Sequence, residues 1–345
     1  MYHDFLKKQY ALSLYFDKSQ RNIYNPFIDF FFSRDIMALI SETGLKGCIV
    51  KKLLFIFNPS AGKGSIKGHV TGILDAFTKE GWLATAYPTQ CRGDAARVAA
   101  ELGGQYERVV CCGGDGTLSE TISGLLTLEN PPVLGYLPAG STNDFSRNLG
   151  LPKVLEEAAH VAVTGPVRKS DVGQFNEKNF IYVAAFGAFT DVSYDTPQEF
   201  KNMFGHLAYL MEGVTRLGSM KSYSVKLAHD GGTVEGDFFY GMVSNTISVG
   251  GFKNPLATDV SLDDGLFEVL LVRRPKSLAE LQTVITTLQQ KKPVDGGAIV
   301  SFSTSKLQVT CQEPLPWTLD GEYGGAPLTI DISNRYQALD LVWGK

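Results

Sequence analysis

The segment VVCCGGDGTLSE, residues 109–120, decides the fold of this 345-residue chain. Its short apolar run predicts a buried strand, and the pattern over residues 118–126 predicts a helix. Each glycine costs more backbone entropy on folding than alanine, so three glycines around Asp115 indicate a backbone that approaches a ligand closely. A strand, a glycine loop and a helix in this order are typical of a phosphate-binding site. The alternative is a tight turn, and in either case Thr117 and Ser119 are candidates to cap the helix.

Similar units flank this segment on both sides. They alternate short apolar runs with helical patterns, and in such chains the sheet is parallel and carries helices on its faces. The predicted strands are 53–57, 83–87, 109–112 and 133–137, and the predicted helices are 68–79, 94–102, 118–126 and 143–148. Residues 50–171 are therefore predicted to form an α/β, Rossmann-like nucleotide-binding domain, with its ligand at the carboxyl ends of the strands.

Two further loops fall at this same edge of the predicted sheet. The first, NPSAGKG at residues 58–64, is small and glycine-rich, but it lacks the GxxxxGK[ST] spacing and could be an ordinary turn. Lys63 is either a phosphate contact or a surface lysine. The second loop, LPAGSTNDFSR at residues 137–147, places Ser141, Thr142 and Asn143 at a helix start, where they suit phosphate or ribose. Asp144 adds a second acid, and a simple N-cap would explain only one of these polar residues.

The chain changes character after about residue 171. β-rich runs separated by turn signals predict a largely antiparallel β domain over residues 172–345. The predicted strands are 180–186, 223–228, 234–243, 266–272, 299–303, 307–311, 328–332 and 338–342, and the predicted helices are 200–217 and 278–290. Residues 1–49 have no clear period and are interpreted as an extension of doubtful role.

Composition excludes several classes of protein. A net charge of −4 gives no general attraction to nucleic acid. Five cysteines without a CxxC pair indicate reduced thiols and a cytoplasmic location. No apolar run reaches the roughly 18–20 residues that a membrane span needs. The scattered histidines include no HExxH, which argues against zinc chemistry.

Together the three loops resemble the bacterial lipid kinases of the diacylglycerol kinase/sphingosine kinase family, from residue 50 to the C-terminus. GGDGT at residues 113–117 matches the family's nucleotide signature, and PAGSTNDFSR at residues 138–147 resembles its PxGTxNDFAR segment, with Ser141 in place of threonine. The resemblance implies that ATP contacts the following residues: Asn58, Pro59, Ser60, Ala61, Gly62, Thr89, Gly113, Gly114, Asp115, Gly116, Thr117, Leu118, Ser119, Glu120, Ser141, Asn143 and Asp144.

Two later motifs resemble functional segments of the same family. LDDGLFEV at residues 262–269 is similar to a segment that binds a structural Mg²⁺, which implies the Asp264 carboxylate and the carbonyls of Ser261 and Leu266 as ligands. LDGE at residues 319–322 implies that Glu322 is the general base. Without the resemblance, both motifs would be interpreted as turns.

The expected activity is transfer of the γ-phosphate of ATP to the hydroxyl of diacylglycerol or a related lipid, giving phosphatidic acid or an analogue for phospholipid biosynthesis. Asp115 would act with Mg²⁺ on the phosphates, and Glu322 would accept the hydroxyl proton. The expected partner is a lipid substrate at a membrane surface, with transient membrane association and no nucleic acid; a homodimer is left open. The alternatives are an NAD kinase and an inert lipid- or nucleotide-binding regulator.

Overall fold

A computed structural model describes residues 51–140, 143–187, 221–246, 248–249, 252–253, 261–275, 277, 279–280, 284 and 297–344. From Lys51 onward the chain forms one compact unit. The extension 1–49, the predicted helix 200–217, Ser141, Thr142 and the side chain of Lys63 lie outside this description. Of the predicted helix 278–290, Ala279, Glu280 and Val284 are described and are helical.

The N-terminal part is a four-stranded parallel sheet in the order β4-β3-β1-β2, with helices between the strands. Its strands are β1 (Lys51–Phe57), β2 (Trp82–Pro88), β3 (Arg108–Gly113) and β4 (Val133–Pro138). Its α-helices are α1 (Val70–Lys79), α2 (Asp94–Leu102), α3 (Asp115–Leu125), α4 (Asp144–Asn148) and α5 (Leu155–Thr164). Two 3-10 helices, Ala61–Gly68 and Gly103–Gln105, precede α1 and follow α2.

Strand β1 shows why this sheet is buried on both faces. Leu54 and Ile56 belong to the hydrophobic cluster that includes residues of α2 and α3. Leu53 and Phe55 belong to the cluster that includes residues of α1 and α5. Successive side chains of a strand point to opposite faces, so a continuous apolar run is what a doubly covered parallel strand requires.

The C-terminal part is antiparallel within itself over the described residues and joins the parallel sheet through its last strand. Its strands are β5 (Val167–Phe175), β6 (Lys178–Phe180), β7 (Val183–Gly187), β8 (Tyr223–His229), β9 (Gly232–Ser244), β10 (Ser248–Val249), β11 (Phe252–Lys253), β12 (Phe267–Arg273), β13 (Ile299–Thr304), β14 (Lys306–Cys311), β15 (Trp317–Leu319), β16 (Glu322–Gly325) and β17 (Thr329–Val342). Strand β17 pairs antiparallel with β5 and β14, and parallel with β4. The predicted fold class, an α/β part followed by an antiparallel β part, is confirmed.

Strand β17 differs from the sequence prediction in an informative way. The two predicted strands 328–332 and 338–342 are one strand whose pairing with β5 shifts register between Arg335 and Leu339. Gln337 lies there with φ of 50°, a value that is typical of an irregular turn residue rather than of a strand. The sequence prediction left residues 333–337 outside both strands, whereas the ladder resumes beyond the bulge.

Two helix predictions also need correction. Helix α5 was not predicted, and α3 begins at Asp115 rather than at residue 118. The single extended residue Gly114 (φ −86°, ψ −178°) turns the chain from β3 into α3 and is its N-cap, without a side-chain cap bond. Thr117 and Ser119 therefore lie inside the helix, and the expectation that they cap it was wrong.

In the part of the chain that the structure describes, no helix is both long and apolar enough to cross a bilayer.

Candidate active site

The three loops singled out by sequence meet in one cleft of about 510 Å³. They follow β1, β3 and β4, three neighbouring parallel strands whose carboxyl ends share an edge. Ligands bind at this edge in open α/β sheets, and the cleft volume is within the usual range for small-molecule sites. The predicted residues that line the cleft are Asn58, Ser60, Ala61, Gly62, Thr89, Gly114, Gly116, Thr117, Glu120 and Glu322. Gln90, Cys91, Arg92 and Gly140 also line it.

Several predicted nucleotide contacts lie behind the cleft wall instead. Leu118 is fully buried in the core beneath α3. The Asn143 amide is used within its own loop: its Oδ1 accepts from the Gly140 N–H at 2.8 Å, and its Nδ2 donates to the Gly140 carbonyl at 2.8 Å. The other predicted contacts that are not among the lining residues are Pro59, Gly113, Asp115, Ser119 and Asp144.

Glycines allow the walls of the cleft to approach each other. A Cβ on Gly140 would lie 2.5 Å from the Gly114 Cα, so the loops after β3 and β4 are in backbone contact. A Cβ on Gly116 would lie 3.0 Å from the Glu322 Oε1, so the start of α3 faces this carboxylate closely. These contacts account for glycine at positions 114 and 116, and at Gly113 an added Cβ would lie 2.6 Å from the Thr117 Cβ.

The floor of the cleft is the N-terminus of α3. The first N–H groups of a helix have no acceptor within the helix and carry the positive end of its dipole. The loop after β1 is ordered against this turn, since the Asn58 Nδ2 donates to the Thr117 Oγ1 at 3.4 Å. The Asn58 Oδ1 in turn accepts from the Ser60 N–H at 2.9 Å. This arrangement suits an anion such as phosphate.

Beside the cleft, carboxylates from three separate segments interact. Asp115 accepts hydrogen bonds from the backbone N–H groups of Asp144 (3.2 Å) and Phe145 (3.4 Å). Burial, followed by the negative charge of Asp144, raises the pKa of Asp115 to about 7. Asp320 adds a further, smaller upward contribution to that pKa. A cation bound near Asp115 would lower its pKa again, but these three carboxylates are not arranged as a metal site, and those of Asp115 and Asp320 already accept hydrogen bonds.

Besides the unpredicted lining residues, the sequence analysis also missed the role of Asp320. Its buried carboxylate accepts from the backbone N–H groups of Ile181 (2.7 Å), Tyr182 (3.0 Å) and Val183 (3.2 Å). The Ser119 hydroxyl of α3 donates to it at 3.2 Å. Burial raises the pKa of Asp320 to about 6. The quoted motif LDGE contained it, and an acid preceding a turn glycine was the available signal.

Asp320 and Gly321 form the turn between β15 and β16, with φ of 51° and 85°. The turn interpretation and the functional interpretation of LDGE are therefore compatible. The hairpin belongs to the antiparallel part and places Glu322 in the cleft, beside the N-terminus of α3. There the Glu322 Oε2 accepts a hydrogen bond from the Arg92 Nη2 in an ion pair.

The proposed structural metal segment lies on the loop before β12. The Asp264 Oδ1 accepts from the Leu266 N–H at 3.0 Å, and the Leu266 carbonyl accepts from the Asn334 Nδ2 at 3.3 Å. The negative charge of Asp264 raises the pKa of two neighbours, Asp171 and Glu268, in addition to the larger effect of their burial. The Glu268 Oε2 is buried and has no hydrogen-bond partner among the described residues.

This excess of negative charge and the oxygen donors of the loop fit a hard cation such as Mg²⁺. The described residues include no group of three or more His, Cys, Asp and Glu side chains arranged to hold a metal. Any ion here would therefore depend on the backbone carbonyls of Ser261 and Leu266 in addition to Asp264.

Comparison with known proteins gives matches along the chain from residue 52. A model of the diacylglycerol kinase catalytic domain matches residues 52–175, and one described as the YegS C-terminal NAD kinase beta sandwich-like domain matches residues 186–342. Diacylglycerol kinase from Bacillus subtilis (strain 168) is 35% identical over 298 residues, covering 86% of this chain and 97% of the relative. Diacylglycerol kinase from Staphylococcus carnosus (strain TM300) is 33% identical over 292 residues, covering 84% and 94%.

Solved structures show the same architecture. A crystal structure of a diacylglycerol kinase from Bacillus anthracis str. Sterne has a TM-score of 0.67 at 24% identity and covers 85% of this chain and 97% of its own. Another crystal structure from the same organism has a TM-score of 0.71 at 26% identity, with the same coverage. Because the Bacillus subtilis and Staphylococcus carnosus relatives are 35% and 33% identical and are matched over 97% and 94% of their length, the chain belongs to the diacylglycerol kinase family of lipid kinases.

Proposed function

We propose that this protein transfers the γ-phosphoryl group of ATP to the free hydroxyl of diacylglycerol or a related membrane lipid. The observation that carries the proposal is the joint lining of one cleft by the loops after β1, β3 and β4, together with Glu322. The loops supply anion-binding backbone groups, and Glu322 supplies a carboxylate beside them. Phosphoryl transfer needs mainly these two elements, positioning with charge stabilisation and a proton acceptor.

The backbone of the cleft would hold the phosphates. The N–H groups at the start of α3 and the close approach allowed at Gly114 and Gly116 leave room for phosphate oxygens at hydrogen-bond distance. The loop after β1, ordered by Asn58, covers the opposite side. Thr89 lines the cleft near the end of β2 and is available to the rest of the nucleotide.

Glu322 would act on the acceptor. As the lipid hydroxyl oxygen bonds to the γ-phosphorus, the bond from that phosphorus to the ADP oxygen breaks, and the hydroxyl proton passes to the Glu322 carboxylate. A positioned base of this kind contributes about 10²–10⁴-fold to the rate. The products are a lipid phosphate, phosphatidic acid when diacylglycerol is the acceptor, and ADP.

Asp115 would act with Mg²⁺ that is bound mainly by the phosphates of ATP, because the described residues offer no group of three or more side chains arranged to hold the ion. Bound there, the ion would neutralise charge on the phosphates. Asp115 also fixes the start of α4, and Asp320 fixes the start of β7. A second Mg²⁺ at Asp264, Ser261 and Leu266 would stabilise the loop before β12. The acceptor lipid would be taken from a membrane surface, with transient association.

The test is transfer of label from [γ-³²P]ATP by the full chain across a panel of alcohols: diacylglycerol in mixed micelles, monoacylglycerol, sphingosine and NAD. We expect labelled phosphatidic acid that requires Mg²⁺. Label in NADP instead would replace the proposal by the NAD kinase alternative, to which the match over residues 186–342 contributes a likeness of fold. Absence of transfer to every lipid would overturn it.

A further inference from the structure

Arg92 holds an unusual position in the cleft. It lies in the loop between β2 and α2, and its side chain is 77% exposed. Among the described residues that line the cleft it is the only one with a cationic side chain, whereas Glu120 and Glu322 contribute negative charge. A site for a polyanionic triphosphate would gain from this cation, yet Arg92 is engaged with Glu322.

The backbone at Arg92 is held in place, while its side chain is largely exposed and has Glu322 as its partner. The next residue, Gly93, has φ of 82° and donates its N–H to the Glu120 Oε1 at 2.8 Å, which ties the loop to α3. On the other side, the Gln90 N–H donates to the buried Asp94 carboxylate at 2.8 Å. The guanidinium can therefore change partner without movement of the loop that carries it.

Glu322 is paired through one oxygen and confined near the other. Its Oε2 receives the Arg92 guanidinium, and its Oε1 faces Gly116 at the start of α3. In this arrangement the carboxylate that the proposed mechanism needs as a proton acceptor is paired with a cation. The guanidinium occupies this carboxylate and so limits the access of a lipid hydroxyl to it.

The two partners of Arg92 differ in strength. The Glu322 side chain is 52% exposed, and exposed ion pairs contribute only about 0.2–1 kcal/mol. A guanidinium bound to phosphate by two parallel hydrogen bonds forms a stronger, charge-assisted pair. Phosphate in the cleft would therefore draw Arg92 away from Glu322.

We propose that Arg92 is a phosphate-binding residue that pairs with Glu322 when no nucleotide is present and moves to the phosphates of ATP when it binds. Nucleotide binding thereby frees the general base, so that Glu322 becomes available only when a phosphoryl donor is in place. This inference rests on the proposed function and adds to it a coupling between the two halves of the active site.

The coupling has a thermodynamic signature that a purely structural ion pair lacks. If ATP must break the pair, removing Glu322 tightens nucleotide binding, and removing Arg92 weakens it. The tightening acts through Arg92, so it must vanish once Arg92 is absent. If Glu322 instead repels the phosphates directly, the tightening persists without Arg92.

The experiment is a double-mutant cycle measured by calorimetric titration of the non-hydrolysable analogue AMP-PNP with Mg²⁺ into the full chain. We expect Glu322→Gln to tighten binding by about two- to fivefold, the range that exposed ion pairs allow. Arg92→Gln should weaken it by about tenfold, and Arg92→Lys by less, because a lysine keeps the charge without the planar fork. In the Arg92→Gln background, Glu322→Gln should change the affinity by less than about 1.5-fold.

Lys67→Gln is the matched control. Lys67 is an exposed cation at the end of the first 3-10 helix and is absent from the residues that line the cleft. Its variant should bind like the parent. Equal tightening by Glu322→Gln in both Arg92 backgrounds, or no tightening in either, would overturn the coupling. If the parent phosphorylates lipid but the cycle is additive, only this inference fails; if the parent neither binds nucleotide nor transfers phosphate, the proposed function fails with it.

Discussion

The contact between Gly114 and Gly140 gives the sharpest prediction about the shape of the cleft. In Gly140→Ala the new Cβ would lie 2.5 Å from the Gly114 Cα, against the 3.4 Å at which ordinary contact begins, so the two loops must separate by about 0.9 Å. The new Cβ would also lie 2.7 Å from a second neighbour, the Asn143 Oδ1. Both obstacles belong to segments of the proposed nucleotide site, so the displacement falls where phosphate binding needs close approach.

A misplacement of about 1 Å in an active site can cost about 10²-fold in rate, and we expect a loss of that order in kcat/KM for ATP. Overpacking should also destabilise the fold by about 1–3 kcal/mol. The assay is label transfer from [γ-³²P]ATP to diacylglycerol, with thermal unfolding measured on the same preparation. The control is Gly68→Ala, whose Cβ would meet nothing within 4 Å. A folded Gly140→Ala variant with kcat/KM within about threefold of the parent would refute the reasoning.

Three further predictions concern buried carboxylates and the metal loop. Asp320→Asn should destabilise the fold by about 1.5–3 kcal/mol in thermal unfolding, because the NH₂ group of asparagine would face backbone N–H donors. The control Asp237→Asn changes an exposed side chain and should have little effect. Equal melting temperatures for the two variants would contradict the prediction. Burial raises the pKa of Glu268 from 4.5 to about 7, so the folded state favours the protonated acid. As the pH rises from 5 to 8 in EDTA, the parent should therefore lose stability relative to Glu268→Gln. A difference in melting temperature that stays constant over this pH range would count against the prediction. Millimolar Mg²⁺ should raise the melting temperature of the parent more than that of Asp264→Asn, because an ion that binds only the folded state stabilises that state. An identical shift in both proteins would argue against a structural ion at Asp264.

The parallel half of the fold could be predicted from sequence because its signals are local. A strand, a glycine loop and a helix follow one another within about a dozen residues, and the carboxyl ends of parallel strands necessarily share an edge. This reasoning predicts from sequence that Gly114, Gly116 and Thr117 lie near Asn58, and in the structure these residues line one cleft. The exact start of α3 was harder to predict, because in sequence a one-residue turn at Gly114 looks like a longer loop.

The rest of the site depends on contacts between distant residues, which a single sequence does not reveal. Asp320 becomes part of the site because β15 pairs with β7, which brings its carboxylate to N–H groups 137–139 positions earlier in the chain. Arg92 and Glu322 are 230 positions apart. The opposite error occurred at Asn143, whose amide seemed free for a ligand but is paired with Gly140.

The most direct test of the central claim is a single-turnover measurement of phosphoryl transfer from [γ-³²P]ATP to diacylglycerol by the parent and by Glu322→Gln. Glutamine keeps the shape of the side chain but cannot accept the hydroxyl proton, so lost packing would not account for a large effect. The account predicts labelled phosphatidic acid from the parent and a rate about 10²–10⁴-fold lower in the variant, with nucleotide binding retained. A variant rate within about threefold of the parent, or a parent that labels no lipid, would contradict it.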